Sequence, residues 1–153
     1  MYLAILTLHS WIRWFALISA FGATLAVIRG QVDGDRSLAD RWGLMLMMGL
    51  DLQLLLGLIM YLAVSPNMEQ IRANFPAAMK DPTARFWAVE HITTMFVAVI
   101  LAHVGRVLAR KAATPAAKRT RLMICFTLTT ILLLVGIPWP WLRAGRPLLR
   151  PVF

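Results

Sequence analysis

The sequence predicts an all-α integral membrane protein whose chain forms one antiparallel, up-down four-helix bundle. Three observations predict this class: 59% of the 153 residues are hydrophobic, only 15% are charged, and the mean hydropathy is +0.69. Soluble domains carry about 25% charged residues. The connecting stretches are too short to fold separately, so residues 1–153 are expected to be a single membrane domain.

Four segments are long and apolar enough to span a bilayer, which requires about 20 residues at ~1.5 Å each. The predicted spans are approximately 3–28, 42–64, 85–108 and 122–138. Helix-breaking residues close them, among them Gly30, the Ser65-Pro66 pair and Pro138. No basic stretch precedes the first span, which is therefore expected to be a retained helix and not a cleaved signal peptide.

The charge of the chain is explained by the loops. Sixteen Lys and Arg against seven Asp and Glu give a net charge of +9. Nine of the cations lie in the loops 29–41 and 106–121, and six lie on the opposite side. Cytoplasmic loops carry the excess of positive charge, so both termini are expected on the periplasmic side of a bacterial inner membrane. Nucleic acid is not an expected partner.

Two further local features bear on function. Cys125 is the only cysteine, which excludes an internal disulfide, covalent c-type haem attachment and a cysteine-framed zinc or iron–sulfur site. In the loop after the second span, Met68, Ile71, Phe75 and Met79 recur at helical spacing. This stretch is either a short helix lying in the membrane interface or an irregular loop.

Few polar side chains fall inside the predicted spans, and a central charge there costs ~2.5 kcal/mol or more. Such residues are candidates for function. They are His9, Arg13, Asp51, Gln53, Glu90, His91 and His103.

His9 and His91 are the leading candidates for metal ligands. Each lies six residues inside a span that enters from the same side, about 9 Å along its helix. Two histidines at one depth on two helices of a bundle are a common way to hold haem b, with one imidazole on each side of the iron. We therefore predict that His9 and His91 bind the iron of one haem.

Haem propionates require cations near the membrane edge. Arg13 follows His9 by four residues and shares its face, and Arg85 lies at the mouth of the third span. A guanidinium binds a carboxylate in bidentate fashion, so Arg13 and Arg85 are the predicted propionate ligands. Glu90 points elsewhere on its helix and is expected to pair with Arg13 across the bundle.

His103 cannot share the site of His91, because it lies ~18 Å further along the helix and about 120° round it. Three alternative roles are open for His103. The first is to bind a second haem opposite a methionine of the second span, the second is to contact a quinone or relay protons, and the third is to form a structural hydrogen bond.

Asp51 lies near the middle of the second span. A carboxyl group at this depth either stays protonated or pairs with a basic residue. It is a candidate for a proton path or a quinone contact, and the alternative is a hydrogen bond between helices.

Several short motifs resemble a family of small bacterial membrane proteins labelled cytochrome b-like. They are LHSWIRW at 8–14, LLLGLIMYL at 54–62, AVEH at 88–91 and GIPWP at 136–140. More distantly, His9 and the HVGR end of the third span at 103–106 resemble HemJ-type protoporphyrinogen oxidases and CopD-type copper-resistance proteins. These resemblances imply a helical bundle with haem or metal chemistry.

The expected function is electron transfer by a haem b-binding membrane protein, with one haem or two. It is either linked to a quinone or is a subunit of a larger redox or photosynthetic complex, with membrane-protein partners or further copies of itself. One alternative is a cofactor-free accessory subunit. Another is a HemJ-like porphyrinogen oxidase or a copper-handling protein, which rests on analogy.

Overall fold

In a computed structural model, which describes residues 1–34 and 36–150, every regular element is a helix. The helices are α1 (Tyr2–Ile28), α2 (Leu38–Ile59), α3 (Pro66–Ala73), α4 (Phe75–Ala78), α5 (Pro82–Arg85), α6 (His91–Arg110) and α7 (Pro115–Gly136). Helix α2 continues through a π-helical turn at Met60–Val64, and a second π-helical turn, Phe86–Glu90, leads into α6.

Four helical segments are long and apolar enough to cross a membrane, as predicted. They run Tyr2–Ile28, Leu38–Val64, Pro82–Arg110 and Pro115–Gly136. Around the bundle, α1 packs against α2 and α7, and α6 packs against α7 and α2. The protein is therefore an all-helical, multi-pass membrane protein.

The fourth long helix begins seven residues before its predicted start at 122. Thr114 is its N-cap, with its hydroxyl accepting a hydrogen bond from the amide of Ala117, and Pro115 occupies the first helical position. The first turns of this helix contain several cations, so a prediction based on apolar residues places its start too late. One of them, Arg119, donates to the carbonyls of Val27 and Ile28 and so caps the end of α1.

The interior of the bundle contains many small side chains among larger ones such as Phe126, and large apolar side chains cover its outer surface. Ala20, Ala98 and Ala102 are fully buried, whereas Ile18, Leu55 and Val135 are more than half exposed. Lipid tails are as apolar as leucine, so helices in a membrane gain most where small residues let their backbones approach closely.

The loop after the second span contains two short helices, α3 and α4, which meet at Asn74. Of the predicted apolar stripe, Met68 and Ile71 are buried against Tyr61 and Trp87, while Phe75 is 45% exposed. The stripe is broken at Asn74 because Asn74 caps a new helix with its side chain. The loop packs on the end of the bundle through both halves, since Ala78 is buried in the same cluster and Met79 packs against it.

The close contact of α6 with α7 at Gly105 generates a stability prediction. A Cβ on Gly105 would lie 2.6 Å from the Cβ of Cys125, whereas one on Gly57 would meet nothing closer than 3.5 Å. Alanine gains about 1 kcal/mol over glycine inside a helix, and overpacking costs about 1–3 kcal/mol. We expect Gly105→Ala to lower the free energy of unfolding in detergent and Gly57→Ala to leave it equal or higher. Equal effects of the two substitutions would contradict the close packing.

Candidate functional site

A largely apolar cavity of about 150 Å³ lies at the end of the bundle where α1 begins and α7 ends. Residues of all four long segments and of the C-terminal segment line it. Its walls include Leu6, Leu54 and Met95, and its polar groups come from a small number of side chains. Ligand sites in helical bundles have this composition, with apolar walls and few oriented polar groups.

The two candidate histidines meet in this cavity. His9 on α1 and His91 at the start of α6 both line it, and their ring centroids are 6.5 Å apart with an interplanar angle of 68°. The equal depths predicted from the sequence therefore correspond to a direct juxtaposition. No other part of the described chain brings two histidines together.

A hydrogen bond fixes the orientation of the His91 ring. Its Nδ1 lies 2.8 Å from the carbonyl oxygen of Gly136, the last residue of α7. A carbonyl only accepts, so Nδ1 carries the proton and donates. In a neutral imidazole this leaves the lone pair on Nε2, which is the arrangement found in most histidines that bind a metal.

His9 is held differently. The amide of Gln53 on α2 donates to the backbone carbonyl of His9 at 2.8 Å, which joins α1 and α2 at this level. The Nδ1 of His9 and the Oε1 of Gln53 are both buried without a hydrogen-bond partner among the described residues. Gln53 was noticed in the sequence only as a polar residue, because its partner is a backbone atom that no sequence pattern marks.

Two π-helical turns face each other beside the histidines. Tyr61, in the turn at Met60–Val64, donates its hydroxyl to the carbonyl of Ala88, in the turn at Phe86–Glu90, at 2.8 Å. Phe86 lies with its ring centroid 5.7 Å from that of His91. A π-helical turn inserts one residue into a helix and occurs frequently at functional sites. Here it sets the direction from which His91 enters the cavity.

Three guanidinium groups line the cavity, and two of them come from the C-terminal segment. These are Arg13, Arg146 and Arg150. Arg13 donates to the carbonyl of Leu148 at 2.7 Å, but its Nε is buried without a partner in the described chain. No Asp or Glu is among the described residues lining the cavity. An uncompensated group of cations beside an apolar cavity is suited to an anionic ligand.

The C-terminal segment is fixed to α1 by two tryptophans. Trp11 donates its indole N–H to the carbonyl of Arg150, and Trp14 donates to that of Leu148. Arg146 lies with its guanidinium 5.0 Å from the ring centroid of Trp87. The contribution of Arg146 and Arg150 was missed in the sequence, because nothing there indicated that the segment after Pro140 folds back over the bundle.

The structure does not bring Arg85 into the cavity. Its Nε donates to the carboxylate of Glu90 at 2.7 Å, and both side chains are almost half exposed. The expected pairing of Glu90 with Arg13 is therefore wrong, because Glu90 points away from the bundle interior and reaches Arg85 five residues earlier in the chain.

His103 also lies outside the cavity. Its Nε2 is 3.4 Å from a carboxylate oxygen of Asp51, which joins α6 to α2 at a different depth. Of the residues considered in the sequence, His9, His91, Arg13 and Gln53 thus gather at one place, while the remaining four form two separate pairs, Asp51 with His103 and Arg85 with Glu90. Across residues 1–34 and 36–150, no group of three or more His, Cys, Asp or Glu side chains is arranged to hold a metal ion.

Comparison of the chain with protein-family models, curated proteins and solved structures finds no match in any of the three. The resemblance to cytochrome b-like proteins therefore stays a prediction. Function has to be argued from the site.

The bond between the two π-helical turns is testable with a change of one oxygen atom. Tyr61→Phe removes the hydrogen bond to Ala88 and should lower the free energy of unfolding by about 1 kcal/mol. Local opening of residues 86–90 should also increase, as measured by amide hydrogen exchange. Tyr2→Phe is the matched control, since the hydroxyl of Tyr2 makes no hydrogen bond within the described chain. Equal behaviour of the two variants would contradict this role.

Proposed function

We propose that this protein binds one haem b between His9 and His91 and serves in electron transfer within a bacterial inner membrane. The observation that carries the proposal is the juxtaposition of these two imidazoles inside an apolar cavity. A haem held in this way supplies reversible one-electron transfer at its iron.

The separation of the rings supports this assignment. Two imidazoles on opposite sides of one metal ion, each with a metal–nitrogen bond of about 2 Å, have ring centroids about 6–6.5 Å apart. The observed value is 6.5 Å. The interplanar angle of 68° is compatible with two rings rotated relative to each other about a shared axis.

The hydrogen bond from His91 to Gly136 supports it as well. A metal-binding histidine usually donates its other ring N–H to a carbonyl or carboxylate, which fixes the tautomer and raises the basicity of the coordinating nitrogen. His91 makes this bond to a backbone carbonyl. The resemblance to known families did not predict this contact, because Gly136 is 45 residues from His91 in the chain.

The guanidinium groups match the two propionates. Arg13, Arg146 and Arg150 line the cavity without a carboxylate among its described lining residues, so two negative charges would reduce their mutual repulsion. Arg13 and one arginine of the C-terminal segment replace the predicted combination of Arg13 with Arg85. The partnerless Nε of Arg13 is a donor still to be satisfied.

The cavity has to widen to admit a porphyrin. A volume of about 150 Å³ matches a ligand the size of benzene, so the ring requires displacement of the apolar walls. Met60 and Met95 line the cavity. Methionine is unbranched, with three rotatable bonds, and adapts to irregular space at low cost. The absence of a Cβ on Gly57, which would lie 3.5 Å from the His9 ring, leaves further room.

The site lies at the end of the bundle that holds the N-terminus and the C-terminal segment. By the distribution of Lys and Arg in the loops, this end is the periplasmic one in an up-down topology. Electrons would then be exchanged on the outer face of the membrane, with a membrane-bound redox complex as partner. His103 is not assigned a second haem, because its coordinating nitrogen faces Asp51.

Removal of either imidazole tests the proposal directly. Purified wild type, produced with an adequate supply of haem, should show a Soret band and a reduced-minus-oxidised spectrum of a low-spin b-type haem. His9→Ala and His91→Ala should each lose most of the bound haem, whereas His103→Ala should retain it. A colourless wild type would overturn the proposal and favour a cofactor-free accessory subunit. Full haem content in both cavity variants would overturn the ligand assignment.

The arginines give a second, independent test. Arg13→Gln and Arg146→Gln should each weaken haem retention about tenfold, because a hydrogen bond to a charged group contributes ~1.5–3 kcal/mol. Arg85→Gln is the matched control and should have no effect, since Arg85 bonds to Glu90. The measurement is the rate of haem transfer to apomyoglobin. An effect confined to Arg85→Gln would place the propionates elsewhere.

A further inference from the structure

A second pair of polar residues lies on the outer surface of the bundle, outside the lining of the histidine cavity. The Nε2 of His103 on α6 is 3.4 Å from the Oδ1 of Asp51 on α2, and the two side chains are 41% and 49% exposed. Polar residues in spans almost always face the bundle interior or a water-filled cavity. This pair instead faces the lipid.

The depth of the pair makes its exposure costly. Asp51 is 13 residues from either end of the span Leu38–Val64, and His103 is seven residues, or about 10 Å, from the end of the span Pro82–Arg110. The pair therefore lies within the span, between its middle and the end at Arg110. An ionisable residue costs up to ~2.5–3.5 kcal/mol at the centre of a span when nothing covers it. A molecule that supplies hydrogen bonds from the lipid side would offset this cost.

The hydrogen-bond pattern indicates that the pair holds an exchangeable proton. The Nδ1 of His103 lies 3.0 Å from the carbonyl of Val99, and since a carbonyl only accepts, Nδ1 is the donor. In a neutral imidazole, Nε2 then carries a lone pair and faces the carboxylate of Asp51, which also accepts hydrogen bonds and does not donate them when ionised. The contact is favourable only when a proton lies between Nε2 and Asp51. The pair can therefore exchange a proton with a molecule that approaches from the lipid.

The surroundings favour a small ligand over a transmembrane helix. Large apolar side chains flank the pair at lipid-facing positions of α2 and α6, whereas the small residues at this level, such as Gly49, Ala98 and Ala102, are buried in the bundle. Helices that associate in membranes do so through small residues. The exposed neighbours of the pair are Met48, Leu52, Leu55, Ile100, Val104 and Val107.

We infer that the Asp51–His103 pair is a binding site for the headgroup of a lipid-soluble quinone or quinol. A quinol hydroxyl can donate to the carboxylate of Asp51, and a quinone carbonyl can accept from the protonated Nε2 of His103. The apolar side chains around the pair fit the isoprenoid tail. A ligand dissolved in the bilayer can reach a site on this surface, and quinones combine this solubility with proton-exchanging oxygen atoms.

The redox role of this site rests on the proposed haem, but binding does not. Asp51 would accept a quinol hydroxyl proton, and the proposed haem would supply a one-electron acceptor. Conversion of a quinol to a quinone would require two such proton and electron transfers, with Asp51 losing its proton between them. His103 lies ~18 Å along α6 from His91, so the two sites are physically separate.

The test measures binding of decylubiquinone to the full-length protein in lipid nanodiscs, with empty nanodiscs as the reference. Wild type should bind saturably, and Asp51→Asn and His103→Phe should each weaken binding about tenfold or more. Glu90→Gln is the matched control, because it also converts a half-exposed, ion-paired carboxylate to an amide. It should bind as wild type does. Both altered residues face the lipid, so the variants are expected to fold, which circular dichroism verifies.

The haem-free variant His91→Ala separates the two proposals. It should bind decylubiquinone with wild-type affinity but fail to oxidise decylubiquinol, whereas Asp51→Asn should keep its haem and oxidise the quinol more slowly. Binding equal to that of wild type in Asp51→Asn and His103→Phe would overturn the site. The site would also be overturned if the same variants showed an altered oligomeric state and the wild type bound no quinone saturably, since the pair would then be a protein interface.

Discussion

The structure depends on the lack of water in the hydrocarbon core of a bilayer, which forces each polar group in a span to find its partner within the protein. Thr129 and Thr130 donate to carbonyls one turn earlier in α7, and Thr130 also contacts the hydroxyl of Thr24 at 3.0 Å. The same constraint leads α1 and α6 to turn their alanines inward, because close packing replaces the hydrophobic effect between helices. Among the described residues, buried side-chain groups without a partner lie mainly at the histidine cavity, in His9, Arg13 and Gln53, with the hydroxyl of Ser19 and the Nε of Arg106 elsewhere.

The cations of the chain have local structural partners as well as a role in orientation. Arg119 caps α1, Arg121 donates to the carbonyl of Leu108 near the end of α6, and Lys118 pairs with Asp40 at 2.6 Å. Carbonyls at helix C-termini carry partial negative charge and have no partner in their own helix. Arginines beyond the bilayer satisfy them without bringing a charge into lipid. The excess of Lys and Arg at one end therefore also holds the four helices together there.

The sequence predicted the four spans and the meeting of His9 with His91, because apolar length and depth along a helix are local quantities. It did not predict the partners that approach from distant parts of the chain. Arg146 and Arg150 reach the cavity only because the segment after α7 folds back onto Trp11 and Trp14. Arg85 was assigned to the site from its depth alone, and a carboxylate five residues along the same chain competes for it. Depth fixes the level of a residue, but the direction of its side chain depends on local turns such as the π-helical one at Phe86–Glu90.

The hydrogen bond between His91 and Gly136 has a thermodynamic consequence. The carbonyl of Gly136 belongs to the last turn of α7, where intrahelical donors have run out, so the imidazole of His91 acts as the cap of that helix. Fraying of the end of α7 breaks the bond that orients the His91 ring, so the two events are thermodynamically coupled. Whatever binds His91 in this orientation also tightens the helix end and the chain that leads from it to Arg146. This bond therefore links occupancy of the cavity to order in the segment that follows α7, in addition to the contacts that Trp11, Arg13 and Trp14 make with that segment.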